Sequence, residues 1–104
     1  VIINIMKKEE ILNKLKEIKP IYEKEGLEIL GIFGSYAKDT QTEYSDIDIA
    51  YKLNYKKFSE KYFGGFSKLV RIDSIKDELK MLLKKDIDLV PDNNKKVIEG
   101  IIYV

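Results

Sequence analysis

Apolar residues recur at helical spacing in the first quarter of the chain and then give way to a continuous apolar run. From Lys7 onward, four of them follow at steps of three and four residues: Ile11, Leu15, Ile18 and Tyr22. This period predicts a helix with one buried face, and Pro20 is expected to kink or restart it. Gly26 is a helix stop, and the run 27–33 after it predicts a strand that leads directly into Gly34.

Two further strands and two further helices are predicted after residue 45. Residues 46–53 start with alternating aspartate and isoleucine, which gives this strand one polar and one apolar face. A helix is expected from the capping box 74–77 to Lys85, and a short strand follows over 86–90. A last helix is expected to start at Asn93 or Asn94 and to run toward Ile101.

The segments between the strands have weaker patterns. Residues 36–44 are polar and small, which is consistent with a short helix or a loop. Residues 54–71 are rich in aromatic side chains and are interrupted by Gly64 and Gly65, which predicts an irregular or partly helical connection. Helical spacing in this segment favours core positions for Phe58, Tyr62 and Phe66. For Phe63 both a core position and a partner-binding patch stay open.

Size and composition place these elements in one domain. With 104 residues, of which 44% are hydrophobic, the chain is expected to form one α/β domain over residues 1–104. Its longest apolar runs are far shorter than the roughly 20 residues of a membrane span. The apolar start, residues 1–6, is too short for a secretion signal. We therefore expect a cytoplasmic protein that does not cross a membrane.

The charged and metal-binding residue types limit which partners, reactions and metal sites are possible. The 19 basic and 18 acidic side chains nearly cancel, so the overall charge gives no support for a nucleic-acid partner. The chain has no cysteine and no histidine, which excludes disulfides, thiolate chemistry, imidazole catalysis and the usual zinc sites. Any bound metal ion must therefore be held by oxygen atoms.

Two aspartates form the first candidate site. In a strand, side chains two residues apart point to the same face, so Asp46 and Asp48 stand roughly 6.6 Å apart along the backbone while Ile47 and Ile49 face the core. Two carboxylates on one face repel each other unless a cation lies between them, and such hard oxygen ligands select Mg²⁺ or Mn²⁺. The pair therefore predicts a divalent metal site, against the alternative of solvated acids on a half-exposed strand.

A phosphate-binding turn and a third carboxylate complete the candidate site. Gly34 lets a phosphate approach the backbone, and Ser35 can donate both its N–H and its hydroxyl group, although Gly-Ser by itself is more often an ordinary turn. Lys38 follows closely as a second-choice phosphate ligand. Asp88 and Asp86 share a face of the third strand, and the pattern alone does not decide which of them is the third metal ligand.

Gly34 and Ser35, ten intervening residues, and then the run 46–48 resemble the signature of the polymerase-β-like nucleotidyltransferase superfamily. The flanking segments 33–37 and 44–50 look like the minimal nucleotidyltransferases, which are often antitoxins paired with a HEPN-domain ribonuclease toxin. The run 87–90 is similar to the family's third-carboxylate strand, and this likeness favours Asp88. Where family members commonly have Arg followed by Gly, this chain has Lys38 and Asp39, so the course of that turn is left open.

The resemblance implies a small nucleotidyltransferase fold, with a mixed sheet of three or slightly more strands flanked by helices. It also implies transfer of AMP from ATP to a tyrosine hydroxyl of the HEPN toxin, which the transfer neutralises. Two Mg²⁺ ions would be held by Asp46, Asp48 and Asp88, with Asp46 and Asp48 as catalytic residues and Gly34 and Ser35 binding the nucleotide.

Three functional hypotheses follow from the sequence. The first is the AMP-transferring antitoxin, and the second is an antitoxin that neutralises its partner by complex formation without catalysis. The third is nucleotidyl transfer to RNA or to a small molecule, which the lack of a basic groove disfavours. Association with itself or with another chain is left open.

Overall fold

The computed structural model describes residues 6–104, apart from the side chains of Lys96 and Ile98. The expectation for the apolar start therefore lies largely outside the described residues. The elements follow in this order: α1 (Lys8–Glu23), β1 (Leu27–Phe33), α2 (Gly34–Ala37), β2 (Ile47–Leu53), α3 (Tyr55–Lys61), α4 (Gly65–Leu83), β3 (Ile87–Pro91), α5 (Lys95–Ile98) and β4 (Ile102–Tyr103).

The strands form a four-stranded mixed sheet in the order β3-β2-β1-β4. β1 runs antiparallel to β2 and β4, and β2 runs parallel to β3. The predicted α/β class with a mixed sheet flanked by helices is confirmed. β4 was not predicted, because a strand of two residues is too short to have a period. It lies against Gly31, where a Cβ atom would come 2.9 Å from the Cα of Tyr103.

Most of the core lies between one face of the sheet and the two long helices. The predicted apolar face of β2 is confirmed, since Ile47 and Ile49 have no exposed surface. These residues pack with side chains of α1, β1 and α4, among them Ile11, Leu15, Ile29, Ile32, Leu79 and Leu83. A smaller cluster of Phe33, Ala50 and Val97 covers part of the other face. Asp48 lies on that second face, opposite the main core.

The first helix continues through Pro20 to Glu23, so the expected restart does not occur. The last helix is shorter than expected and ends at Ile98, before the chain enters β4. Within residues 6–104, no helix combines the length and the apolar character needed to cross a membrane.

The segment 54–71 is partly helical, as predicted, since α3 ends at Lys61 and α4 begins only at Gly65. The predicted start of the next helix at residue 74 was wrong. Asn54 caps α3 by accepting a hydrogen bond from the N–H of Lys57 at 3.1 Å. α4 begins at Gly65 and not at the predicted capping box. Ser74 lies inside α4, where its hydroxyl donates to the carbonyl of Arg71 at 2.8 Å. A serine whose hydroxyl bonds back to the preceding turn is compatible with a helix interior. The capping-box pattern 74–77 therefore did not mark the start of a helix.

The aromatic side chains of this segment divide into two groups. Phe58 is fully buried and Tyr62 is half-buried, as predicted. The core position predicted for Phe66 is wrong, since 81% of its surface is exposed, and Phe63 is 91% exposed. Helical spacing identifies one face of α4, but no apolar side chain of its first ten residues is buried. The spacing therefore predicts an apolar helix face, but it does not predict whether other parts of the fold cover that face.

A partly buried ionic network ties α4 to the end of α1. Arg71 pairs with Glu25 at 2.7 Å and with Glu78 at 2.6 Å, and Glu78 accepts a hydrogen bond from the hydroxyl of Tyr22 at 2.9 Å. The hydroxyl of Tyr62 also donates to Glu25. Only 8% of Glu25 is exposed, so the network supplies the partners that a buried carboxylate needs.

Candidate active site

The turn from β1 into α2 brings the backbone of Gly34 against the carboxylate of Asp48. Phe33, the last residue of β1, pairs with Asp48 across the antiparallel ladder. Gly34 follows with φ +71, and a Cβ atom there would overlap Oδ2 of Asp48 and lie 3.1 Å from its Cγ. Only glycine fits this combination of a left-handed backbone and a touching carboxylate. Gly34 and Ser35 are thus placed beside the candidate metal ligand.

The parallel pairing of β2 with β3 places Asp88 in register with Asp48. Residues in register point to the same face, so these two carboxylates share the face away from the main core. Asp46 precedes β2 by one residue, where the N–H of Ile47 bonds to the carbonyl of Asp86 at 2.9 Å. Asp48 and Asp88 on the two strands, and Asp46 just before β2, therefore lie at this end of the sheet.

The electrostatics of Asp48 reflect its neighbours. Burial raises the pKa of Asp48, and the negative charges of Asp88 and Asp46 raise it further. Asp88 and Asp46 are thus close enough for their charges to act on Asp48. As the side chains stand, no group of three or more acids in residues 6–104 is already arranged around an ion position. The donor chemistry nevertheless fits a hard divalent cation, because a cation would reverse the repulsion among oxygen ligands of the type that Mg²⁺ takes.

Asp86, the alternative third carboxylate, forms an ion pair with a lysine. Its Oδ1 lies 2.9 Å from Nζ of Lys80, and both side chains are largely exposed. The hydrogen bond from Lys80 lowers the pKa of Asp86, in contrast to the raised pKa of Asp48. Of the two candidates, Asp88 is therefore the one whose charge acts on Asp48.

The connection from α2 to β2 is fixed by its own hydrogen bonds. The N–H of Thr40 donates to the carbonyl of Ser35 at 2.9 Å. The N–H of Thr42 donates to Oγ of Ser45 at 2.9 Å, and the N–H of Ser45 donates to the carbonyl of Thr42 at 3.1 Å. Sequence reasoning did not select Thr42 or Ser45, although a Thr-x-x-Ser run before a strand is a recognisable turn pattern. These bonds set the approach of the chain to Asp46.

Asp39 takes the backbone conformation that a glycine would take. Its φ is 59, in the left-handed region that aspartate tolerates better than most residues. Its carboxylate also pairs with Nζ of Lys8 at 3.0 Å. The turn after Ala37 therefore keeps a left-handed residue although the chain lacks the glycine common in the family. Lys38 is exposed next to it, and its N–H donates to the carbonyl of Gly34 at 3.0 Å.

An open cavity of about 710 Å³ lies beside Asp46. The loop 43–46 forms one wall, and the last turns of α4 form the other with Lys80, Met81 and Lys84. Gly34 reaches Asp48 from β1, on one side of β2, whereas β3 and this cavity lie on the other side. Of the acidic residues at this end of the sheet, Asp46 and Asp86 line the cavity.

Comparison with known proteins agrees with this geometry. Residues 13–103 match the family described as "Polymerase beta, Nucleotidyltransferase". Two relatives from Methanocaldococcus jannaschii bear the name "Putative protein adenylyltransferase". One is 40% identical over 98 residues, which cover 91% of this chain and 92% of the relative. The other is 36% identical over 84 residues, which cover 80% of each chain.

Two solved structures share the fold. The first is described as "Crystal structure of the toxin-antitoxin with AMP-PNP" and matches with a TM-score of 0.58 at 22% identity, over 94% of this chain and 72% of the other. The second, the toxin-antitoxin MntA-HpeT in a mutant form, has a TM-score of 0.57 at 20% identity with the same coverage. The chain therefore belongs to the polymerase β nucleotidyltransferase family, and its enzyme class is that of a nucleotidyltransferase.

Proposed function

We propose that this chain transfers AMP from ATP to a tyrosine hydroxyl of a HEPN-type ribonuclease toxin and thereby acts as its antitoxin. The contact of Gly34 with Asp48, in register with Asp88, carries the proposal, because it brings the turn of Gly34 and Ser35 against a set of carboxylates. The names of the M. jannaschii relatives support protein adenylylation. The toxin-antitoxin structures, one with the ATP analogue AMP-PNP, support the partner and the nucleotide.

Gly34 and Ser35 would bind the triphosphate. The missing side chain at Gly34 lets the turn lie against the carboxylate of Asp48. Next to it, Ser35 would offer an N–H and a hydroxyl group as donors to phosphate oxygens. Asp46, Asp48 and Asp88 would hold two Mg²⁺ ions on the shared face of β2 and β3. Bound magnesium would supply positive charge against the triphosphate and favour the ionised form of the acceptor hydroxyl.

The proposed transfer is a single displacement at the α-phosphorus of ATP. The acceptor oxygen forms a bond to phosphorus, the bond between this phosphorus and the pyrophosphate oxygen breaks, and the hydroxyl proton passes to a carboxylate or to water. The chain's own residues position the two reactants. The acceptor would enter through the cavity that Asp46, one of the candidate metal ligands, lines.

A labelling experiment tests this reaction. The toxin is incubated with this chain, Mg²⁺ and ATP that carries the radioactive label on either the α- or the γ-phosphate. Label from the α-phosphate is expected on the toxin and label from the γ-phosphate in released pyrophosphate. Transfer of the γ-label to the toxin would mean kinase chemistry, and no transfer of either label would contradict the proposal.

The second candidate function is neutralisation by contact alone. The exposed aromatic side chains of the 54–71 segment favour it, since Phe63 and Phe66 are 91% and 81% exposed. An Asp46→Ala/Asp48→Ala variant separates the two functions. If neutralisation needs AMP transfer, this variant fails to protect cells from the toxin. If contact suffices, it protects as well as the wild type.

A further inference from the structure

Tyr44 is the tyrosine that lies nearest along the chain to a candidate metal ligand. It precedes Asp46 by two residues, so the two Cα atoms lie at most about 7 Å apart. Both residues line the open cavity of about 710 Å³ between the loop 43–46 and the last turns of α4. A tyrosine of the chain itself therefore lies at the cavity proposed for the acceptor.

The backbone at Tyr44 is held by hydrogen bonds, whereas its side chain is exposed. The N–H of Tyr44 donates to Oγ1 of Thr42 at 3.2 Å. The carbonyl of the preceding Glu43 accepts a hydrogen bond from Nζ of Lys85, which joins the loop to the residues after α4. The Tyr44 side chain is 86% exposed, and within residues 6–104 its hydroxyl has no hydrogen-bond partner. This hydroxyl can therefore react without the loss of a contact that stabilises the fold.

The other six tyrosines are buried, bonded within the fold or distant from Asp46. Two are buried and two donate their hydroxyls to glutamates, namely Tyr36 and Tyr51, and Tyr22 and Tyr62. Tyr103 is exposed on β4, which β1 separates from β2. Tyr55 is 66% exposed but lies past the far end of β2, a strand of seven residues, and so roughly 20 Å from Asp46. Within the described residues, Tyr44 is the tyrosine that combines exposure with a place in the cavity.

The charges of the cavity do not favour an acceptor of either sign. Its lining contains three acids and three lysines, namely Glu43, Asp46, Asp86, Lys80, Lys84 and Lys85. Lys80 and Asp86 already pair with each other. A hydroxyl that is attached to the chain beside the site has a far higher effective concentration than a hydroxyl on a separate molecule. Proximity therefore favours Tyr44 as an acceptor whenever no partner fills the cavity.

We propose that this chain transfers AMP from ATP to the hydroxyl of its own Tyr44, and that the modified side chain then blocks the acceptor cavity. The inference rests on the proposed function, because it uses the same reaction with a different acceptor. The tyrosine oxygen forms a bond to the α-phosphorus, and the bond between this phosphorus and the pyrophosphate oxygen breaks. Pyrophosphate leaves, and the hydroxyl proton passes to water in the open cavity.

The modification gives the chain a means of limiting its own activity. AMP on Tyr44 adds a nucleotide to the wall of the cavity that a toxin tyrosine would enter. The attached nucleotide and the toxin side chain then compete for the same space, and a displaced acceptor reacts slowly. The chain is thus active toward a toxin that arrives before self-modification and much less active afterwards.

Mass spectrometry of the chain after incubation alone with ATP and Mg²⁺ tests the self-modification. The wild type is expected to gain one AMP unit, and peptide mapping is expected to locate it on Tyr44. Tyr55→Phe, which changes another exposed tyrosine, should gain the same unit, whereas Tyr44→Phe and Asp48→Asn should gain none. Circular dichroism of Tyr44→Phe should match the wild type, because the ring is kept and the removed hydroxyl has no partner in residues 6–104.

A second reaction of the wild-type chain with the toxin separates this inference from the proposed function. AMP on the toxin but none on Tyr44 would overturn the self-modification alone, and AMP on Tyr44 but none on the toxin would overturn the proposed acceptor alone. AMP on neither protein would overturn both, and AMP on a tyrosine of this chain other than Tyr44 would overturn the assignment. Chain that already carries AMP on Tyr44 should modify the toxin at least about tenfold more slowly than fresh chain, and equal rates would overturn the block.

Discussion

Replacing Gly34 by alanine tests two features of this position, which are its left-handed backbone and its contact with the carboxylate of Asp48. The backbone has φ +71, which costs a residue with a side chain on the order of 1 to 3 kcal/mol of stability. The added Cβ would also overlap Oδ2 of Asp48, so the carboxylate has to turn away. Losing the position of a metal ligand is expected to weaken Mg·ATP binding by at least about 10- to 100-fold.

Gly64→Ala is the matched control for Gly34→Ala. Gly64 has φ +83 and an open surrounding, with nothing within 4 Å of an added Cβ. Both variants should lose a similar amount of unfolding free energy in urea, but only Gly34→Ala should lose Mg·ATP affinity in titration calorimetry. If Gly34→Ala binds Mg·ATP as Gly64→Ala does, the contact between Gly34 and Asp48 does not support a nucleotide site.

Three further substitutions test the electrostatics and packing. Asp48→Asn should abolish transfer yet raise the urea midpoint, because it removes a half-buried carboxylate that its neighbours repel. Glu25→Gln should cost about 2 to 3 kcal/mol at neutral pH. Hydrogen bonds from Arg71 hold the pKa of Glu25 below its ordinary 4.5, so this stability is present above pH 4.5 and is lost as the pH falls through the lowered pKa. Urea unfolding across pH should therefore show a weaker acid dependence in the variant. Gly31→Ala should cost about 1 to 3 kcal/mol by pushing β4 away, whereas Gly65→Ala, in open space, should be nearly neutral in the same assay.

Much of the fold follows from local periodicity. β1 has the predicted bounds, 27–33, and β2 and β3 begin one residue after the predicted starts. Alternating patterns and apolar runs are enough to predict these three strands, because each strand buries a face in the core. The start of α4 could not be found in this way, because its first half is anchored by Lys68 and Arg71, through polar contacts with residues distant in sequence or outside the helix.

The candidate site was partly readable from the sequence. The alternation at 46–49 predicts two carboxylates opposite two buried isoleucines, and the burial of Ile47 and Ile49 bears out that division. The choice between Asp86 and Asp88 depends on strand register and on the pairing with Lys80, which are tertiary facts. The left-handed conformation of Asp39 likewise appears only in the folded chain. That the candidate residues bind metal and nucleotide, and that residues 1–104 form one domain, stay predictions.

The intact mass of the toxin after incubation with this chain, ATP and Mg²⁺ tests the central claim most directly. The wild type and Asp73→Asn, which changes an exposed carboxylate on α4, are both expected to add one or more AMP units. Asp48→Asn is expected to add none. An unchanged toxin mass with the wild-type chain, or AMP addition that persists in Asp48→Asn, would contradict the account.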